Sequence, residues 1–405
     1  MIPSVLLRTC FDRAVETVRA EACLPPRIPS HPGRTGLIGI GKAGADMARV
    51  ALSRMEVPAF ALAITRHSHV PDGMPHGVEL IEAGHPHPDD ASLKAGALAL
   101  ERASTLGPAD RLLALVSGGG SAVLVAPAPG IAFSEKQRVI AALHAAGAPI
   151  GDINAVRAAL SAVKGGRLGA AANGAEILTY VISDVPGDAP GLVASGPTVP
   201  PTDQTDYRQI LCRYGIAGPD PGHPSLPAPT FPASTHVIAR ADDALAAAER
   251  VLRDAGYAVV NEGGTVEGDA AALGRTHGQR ALAFHAKGRQ IALLSGGETT
   301  VALPREPGRG GRNATYLLSL ALTLDGAEGI HALAADTDGL DGSEDNAGAT
   351  CGPDSLARMR AGGIDPAAAL ARADAYAAFA ASDELLITGP TLTNVNDLRI
   401  VLIDP

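Results

Sequence analysis

Residues 35–48 read TGLIGIGKAGADMA, and the reading of this stretch decides the fold class. An apolar run of strand length runs straight into Gly39-Ile-Gly41-Lys42-Ala-Gly44, and a helix is predicted to begin near Ala45. The spacing formally matches GxGxxG, which suggests a dinucleotide fold. That reading needs an acidic residue near the end of the next strand, to hold the ribose. The next apolar run, AFALAIT (59–65), ends at Thr65-Arg66 with no acid. Lys42 fits another task better: a cation just ahead of a helix N-terminus, placed to meet a phosphate or carboxylate. A tight strand–helix turn with a solvated lysine is the plainer alternative. No GxxxxGK[ST] occurs, so the chain is not a P-loop enzyme.

The same grammar recurs outward from this stretch. RLLALVSGGG (111–120), EILTYVISD (176–184), QIALLSGGE (290–298), IHALAADTDG (330–339) and ELLITGP (384–390) are apolar runs ending in Gly-, Ser- or Asp-rich turns. Ala-rich stretches of helical length, such as Ala91 to Thr105 and Asp242 to Ala255, lie between them. The alternation predicts an α/β fold with parallel layers, whose ligands sit beyond the carboxyl ends of the strands. Aromatics are only 3% of the chain and Trp is absent, so the core is built from Ala, Val, Leu and Ile. The Pro-rich segment 215–234 reads as a linker, because a new strand–helix–strand unit follows it. This predicts an N-terminal domain over 1–234 and a C-terminal domain over 235–405.

Each predicted domain carries a Ser-Gly-Gly turn: Ser117-Gly118-Gly119-Gly120-Ser121 and Ser295-Gly296-Gly297-Glu298-Thr299. Successive glycines let several backbone N–H groups point at one anion, and the hydroxyls add donors. Gly308-Arg309-Gly310-Gly311-Arg312-Asn313 precedes the apolar helix TYLLSLAL, where two arginines could clamp a carboxylate or neutralise a phosphoryl group in flight. Ser183-Asp184-Val-Pro-Gly-Asp188 and Asp336-Thr-Asp338-Gly-Leu-Asp341-Gly are acidic turns, and carboxylates there can hold Mg²⁺ or accept a hydroxyl proton. The second is no calcium loop, since Leu340 stands where an oxygen ligand is needed. His67, His69, His85 and His87 lie in Pro- and Gly-rich loops without ligand geometry and read as loop or substrate contacts. Each feature also has a purely structural reading, as a chain reversal, a solvated arginine or an Asp-turn.

The composition excludes several classes. Net charge is −10 and no run of Lys or Arg forms a basic stripe, which argues against nucleic acid and anionic membranes as partners. No apolar run is long enough to span a bilayer. Asp12 and Glu16 interrupt the N-terminal segment, which reads as an amphipathic helix and not a signal peptide. Cys10, Cys23, Cys212 and Cys351 have no metal or disulfide spacing and read as the reduced thiols of a cytoplasmic protein. Homo-oligomerisation is compatible with these features.

Taken in order, GIGKAGADMA (39–48), EAGHPHPDDAS (82–92), LVSGGGSAVL (115–124), NAVRAALSAVKGGRLG (154–169) and VISDVPGDAPGLVASGPTVP (181–200) resemble the type II glycerate 2-kinase family. LSGGETTV (294–301), GRGGRN (308–313), AADTDGLDG (334–342) and TGPTLTNVNDL (388–398) extend the match almost end to end. The C-terminal part of that family is the MOFRL domain, and members have also been described as hydroxypyruvate reductases. The resemblance implies a Rossmann-like N-terminal α/β domain, a smaller C-terminal α/β domain and an active site in the cleft between them. It implies ATP, Mg²⁺ and D-glycerate, phosphorylated on the 2-hydroxyl; NAD(P)H-dependent hydroxypyruvate reduction, or a kinase of a related hydroxy acid, is the alternative. By motif, Lys42, Asp184, Arg309 and Arg312 would be catalytic. Gly41, Ser117 to Ser121, Ser295 to Glu298, Asn313 and Asn394 would bind substrate or phosphate, and Asp184, Asp336 and Asp338 the metal. Two motifs depart from the family pattern: Ala314-Thr315 follows GRGGRN, and Leu392 stands where an inner glycine is usual.

Overall fold

Why the strand at Thr35 has no polar alternation becomes plain in the structure, a computed structural model that describes residues 2–200, 206–219 and 231–405. β1 (Thr35–Ile40) is flanked by β2 (Phe60–Arg66) on one side and β4 (Arg111–Ser117) on the other, parallel to both. With β3 (Glu79–Ala83), β5 (Glu176–Ile182) and β6 (Ala233–Ala239) they form a six-stranded sheet in the order β3-β2-β1-β4-β5-β6. A central parallel strand is covered on both faces, so it is apolar throughout. Ile38, Ile40, Leu62, Ile64, Leu112 and Val116 pack there against Ala95, Ala99 and Ala103 of the helix Asp90–Ser104. Small alanines let that helix lie close to the sheet, and Asp89 and Ser92 cap its start reciprocally. The strand order reverses between β1 and β4. In open α/β sheets, this switch point opens a crevice at the carboxyl edge.

The other sheet contains β7 (Ala258–Asn261), β9 (Ile291–Ser295), β11 (Ile330–Asp336), β12 (Gly348–Cys351), β13 (Leu385–Leu386) and β14 (Asp397–Ile403). Two-residue strands β8 (Gly268–Asp269) and β10 (Thr299–Thr300) make a separate parallel pair. The sheet order is β13-β12-β11-β14-β9-β7. Here the expectation of parallel layers fails. Only β7 and β9 pair in parallel, and β14 enters between β9 and β11 antiparallel to both. The helix Arg312–Leu324, buried through Tyr316, Leu317, Leu318 and Leu320, belongs to the core of this sheet.

The chain divides into two compact units, Cys23–Ile238 and Met1–Ala22 with Ala239–Pro405. This differs from a single cut at 234/235 in two ways. The new strand after the linker, β6, completes the first sheet. The first helix, Pro3–Val18, packs on the helix Ala241–Asp254 and on β11 and β14 of the second sheet. Residues 220–230 of the expected linker lie outside the described residues. Among the described residues no helix is long and apolar enough to cross a membrane.

Candidate active site

In the Cys23–Ile238 unit the candidate residues gather at the carboxyl edge of the parallel sheet. The turns after β1 and β4 interlock: the Lys42 N–H donates to Gly118 O at 2.8 Å and the Ala43 N–H to Ser117 Oγ at 2.9 Å. Gly41 is required by this contact. It has φ +109°, and a Cβ there would stand 2.4 Å from the Ser117 carbonyl oxygen. A Cβ on Gly119 would lie 3.0 Å from the Lys42 stem and 3.1 Å from the His85 ring, so both side chains cross over the bare backbone of the second turn. Lys42 therefore stands over the Ser117–Ser121 turn at the switch point. Asp184 follows β5 at the same edge, half-buried.

Two further elements of this edge, around Ser195 and Lys164, carry no role assigned from sequence. Ser121 Oγ is 2.8 Å from Ser195 Oγ, in a stretch where Ala194 and Ser195 hold φ of +53° and +61°. Side chains rarely adopt such angles, and strain of this kind clusters at functional sites. Lys164 is 1% exposed, and its ammonium donates to Ser121 O at 2.9 Å and Leu124 O at 3.3 Å. The signal that could have found it was a lysine directly ahead of Gly165-Gly166. The Gly165 and Gly166 amides dock onto the carbonyls of Ser195 and Gly196.

In the other unit the antiparallel course of β14 does what parallel order does in the first. Its start faces the ends of both neighbours, with Asp336 opposite Asp397 and Ser295 opposite Arg399. The Ser295–Glu298 turn, Asp336–Asp338 and Asn394–Asp397 thus share one edge. Arg312, at the start of its helix, ties the edge together. Its Nε meets Asp397 at 2.9 Å, one terminal nitrogen Asp336 at 2.7 Å and the other Glu298 at 3.1 Å. Burial disfavours its charge, but the carboxylates of Asp397, Asp336 and Glu298 outweigh that and hold its pKa above the ordinary arginine value. Asp397, unassigned from sequence, is 2% exposed and also bonds Asn313 and Arg399.

Asp341 is not a ligand-loop residue. Its two oxygens accept the Asn313 and Ala314 N–H groups at 2.9 and 2.8 Å, capping a helix whose own N-cap, Gly311, has no side chain to offer. Burial pushes this carboxyl up to about 6 against the pull of those two amides. Asp336 is likewise committed, with Oδ1 accepting the Asp338 N–H and Oδ2 facing Arg312. Asp338 accepts the Leu340 N–H through Oδ1. Asn394 is 2% exposed and its Oδ1 accepts the Asn396 N–H. Ser295 Oγ and Asn313 Oδ1 are buried with no hydrogen-bond partner.

Arg309 differs from Arg312. Its side chain is 61% exposed, pairs with Glu344 and lies 4.3 Å over the Tyr376 ring. Among the described residues no group of three or more His, Cys, Asp or Glu is gathered for a metal. Mg²⁺ does not need one, because it usually takes one or two carboxylates and fills its remaining positions with water and substrate phosphate. Asp184 and Asp338 fit that donor chemistry, whereas Asp336 is occupied by Arg312.

Residues 6–222 match a family model described as a domain of unknown function, DUF4147, and residues 291–397 match the MOFRL family. A relative from Agrobacterium vitis, provisionally named a hydroxypyruvate reductase, is 44% identical over 98% of this chain and 94% of its own. The D-glycerate 2-kinase of Thermotoga maritima is 33% identical over 96% of each chain. The crystal structure of the glycerate kinase from Thermotoga maritima superimposes with a TM-score of 0.86 at 32% identity, covering 98% of this chain and 99% of that one.

Proposed function

Because the chain belongs to the DUF4147–MOFRL family of glycerate kinases, we propose that it is a phosphotransferase that moves the γ-phosphoryl group of ATP to the 2-hydroxyl of D-glycerate. The observation that carries this reading is the interlock of the Lys42 and Ser117–Ser121 turns at the switch point of the parallel sheet. It supports an anion cradle of backbone amides with one cation above it.

Each residue then has a task. The amides of the Gly118–Ser121 turn and the Ser121 hydroxyl hold phosphate oxygens, and Lys42 neutralises charge that builds up as the phosphoryl group moves. Ser117 Oγ, buried between the Ala43 N–H and Ile40 O, fixes the turn and is not a phosphate ligand. Asp184 accepts the proton of the attacking hydroxyl as its oxygen bonds phosphorus and the bond to ADP breaks. Arg309 is the arginine suited to substrate, because an exposed pair with Glu344 is cheaply exchanged for a phosphate or carboxylate. Arg312 holds Asp336 and Asp397 in place. A Mg²⁺ accompanying the nucleotide, held by Asp184 or Asp338, would neutralise phosphate charge.

The name carried by the Agrobacterium vitis relative keeps reduction as the competing reading. β2 ends in Thr65 and Arg66 without an acidic residue, and the Thr65 hydroxyl donates to Lys42 O at 3.2 Å. The ribose anchor of a dinucleotide fold is therefore missing where it is needed. The test is ATP consumption with D-glycerate and Mg²⁺, with the product resolved by NMR. Formation of 2-phosphoglycerate is expected. NADH or NADPH oxidation with hydroxypyruvate and no phosphorylated product would overturn the proposal.

A further inference from the structure

The helices Phe133–Ala145 and Ile150–Ala159 stand apart from the sheet, around a small core of Val139, Leu143, Ile153, Val156 and Leu160. Residues of the first helix, together with His85, Gly119, Ser121, Arg157 and Lys164, line a cavity of about 580 Å³. Among the described residues no carboxylate pairs with its cations Lys136, Arg157 and Lys164. Lys136 is 5% exposed and its ammonium has no hydrogen-bond partner. Lys164 donates only to carbonyls of the chain, and Arg157 donates to the Asn154 amide oxygen at 2.7 Å.

The field inside is positive. Burial first, then Arg157 and Arg167, push Lys136 down to about 7. Burial, then Lys136 and Arg157, hold Lys164 well below the ordinary lysine value. A buried ammonium among like charges is costly unless an anion compensates it. In a chain of net charge −10 there is no shortage of carboxylates, yet among the described residues none is hydrogen-bonded to Lys136. Another cavity, of about 590 Å³, opens beside Thr35 and Arg111 at the amino ends of β1 and β4. That edge is the wrong one for ligand chemistry in such a sheet, and its Arg34 is already paired with Asp110.

Resting on the kinase reading above, we propose that the Lys136 cavity is the subsite for the carboxylate of the hydroxy-acid substrate, Lys136 being the group that meets it. Lys164 fixes the wall of the subsite by holding the Ser121 carbonyl, which links the cavity to the Ser117–Ser121 turn. His85 lies against Gly119 together with Lys42, so an acid anchored at Lys136 extends along this wall toward Lys42. The flexible stem of Lys136 lets its ammonium turn to an arriving carboxylate. Ala122, Val125, Phe133 and Ile140 give the rest of the wall an apolar character, which leaves room for hydroxy acids larger than glycerate.

The experiment compares Lys136→Met and Lys136→Arg with the wild type, using D-glycerate and its neutral carboxamide as acceptors. Lys136→Met is expected to raise KM for D-glycerate at least 10-fold, with a smaller change in kcat. KM for ATP should stay within about 2-fold, the preference for acid over amide should fall, and Lys136→Arg should restore part of it. Thermal shifts with D-glycerate alone provide a readout independent of turnover: wild type stabilised, Lys136→Met not. If the wild type makes no phosphoglycerate, the kinase reading fails while the thermal shift still decides the subsite. A rise in KM for ATP instead of D-glycerate would assign the cavity to a nucleotide phosphate and overturn the proposal. Unchanged D-glycerate KM and unchanged thermal shift in Lys136→Met would overturn it as well.

Discussion

At the scale of single residues, the sequence treats Lys42, Arg309 and Arg312 alike, as cations in glycine-rich turns, and the structure separates them. Lys42→Ala removes a charge above the Ser117–Ser121 turn without touching the core. It should cost on the order of 10²–10³ in kcat with an unchanged Tm. Arg309→Ala should likewise reduce turnover, with stability within about 1 kcal/mol, because its pair with Glu344 is exposed. Arg312→Ala leaves the buried Asp336 without this arginine and Asp397 with Arg399 alone, and should destabilise by about 3 kcal/mol. Kinetics paired with calorimetry on the three variants checks this, and an Arg312→Ala enzyme of wild-type Tm would refute the structural role. From sequence alone Arg312 reads as a catalytic residue, because nothing there joins it to Asp397, 85 residues away. Leu392 illustrates the converse: its φ of +65° is the left-handed conformation for which the family's usual glycine is suited.

At the scale of elements, the helix Arg312–Leu324 depends on a cap supplied from a distant turn. Asp341→Asn keeps the shape, but its amide nitrogen must then face one of the N–H groups the carboxylate accepts. A loss of about 1–3 kcal/mol is expected. The loss also has a pH signature. In the folded chain this carboxyl titrates near 6, above its unfolded value of roughly 3.9. The folded state therefore holds the extra proton between those values. The resulting stability is fully present below about pH 4 and lost as pH rises through 6. The wild-type advantage over Asp341→Asn, measured by denaturation, should be larger at pH 4 than at pH 7. An advantage that grows with pH would refute the assignment.

For the whole molecule, the first helix is the informative element. It buries Leu6, Leu7, Phe11 and Val18 in the unit formed with residues 239–405, although more than 200 residues separate them in sequence. A fully buried side chain of this kind contributes about 1.5–3 kcal/mol. Deleting residues 2–22 should therefore destabilise the second sheet while the Cys23–Ile238 unit keeps its protection. Hydrogen exchange resolved by peptide would detect the difference. Equal loss of protection in both units would contradict this division.

The sequence by itself determined the local pieces and their chemistry. Apolar runs ending in polar or glycine-rich turns place the starts of β1, β2, β4, β5, β9 and β11 within a residue, because a strand buried on both faces writes an unbroken pattern. The Gly-Lys and Ser-Gly-Gly turns were legible for the same reason, since close backbone approach needs glycine. β14 was not legible: Asp397 and Arg399 interrupt DLRIVLI with charges that each other, Arg312, Asn313 and the Gly296 carbonyl make tolerable inside a core. What the tertiary structure alone decided was pairing across distance. It set β14 antiparallel between β9 and β11, gave Arg312 to Asp397, lent Asp341 to a remote helix and, among the described residues, left the Lys136 ammonium without a hydrogen-bond partner. Burial turns such charges into partners or into binding sites, and burial is a property of the folded chain.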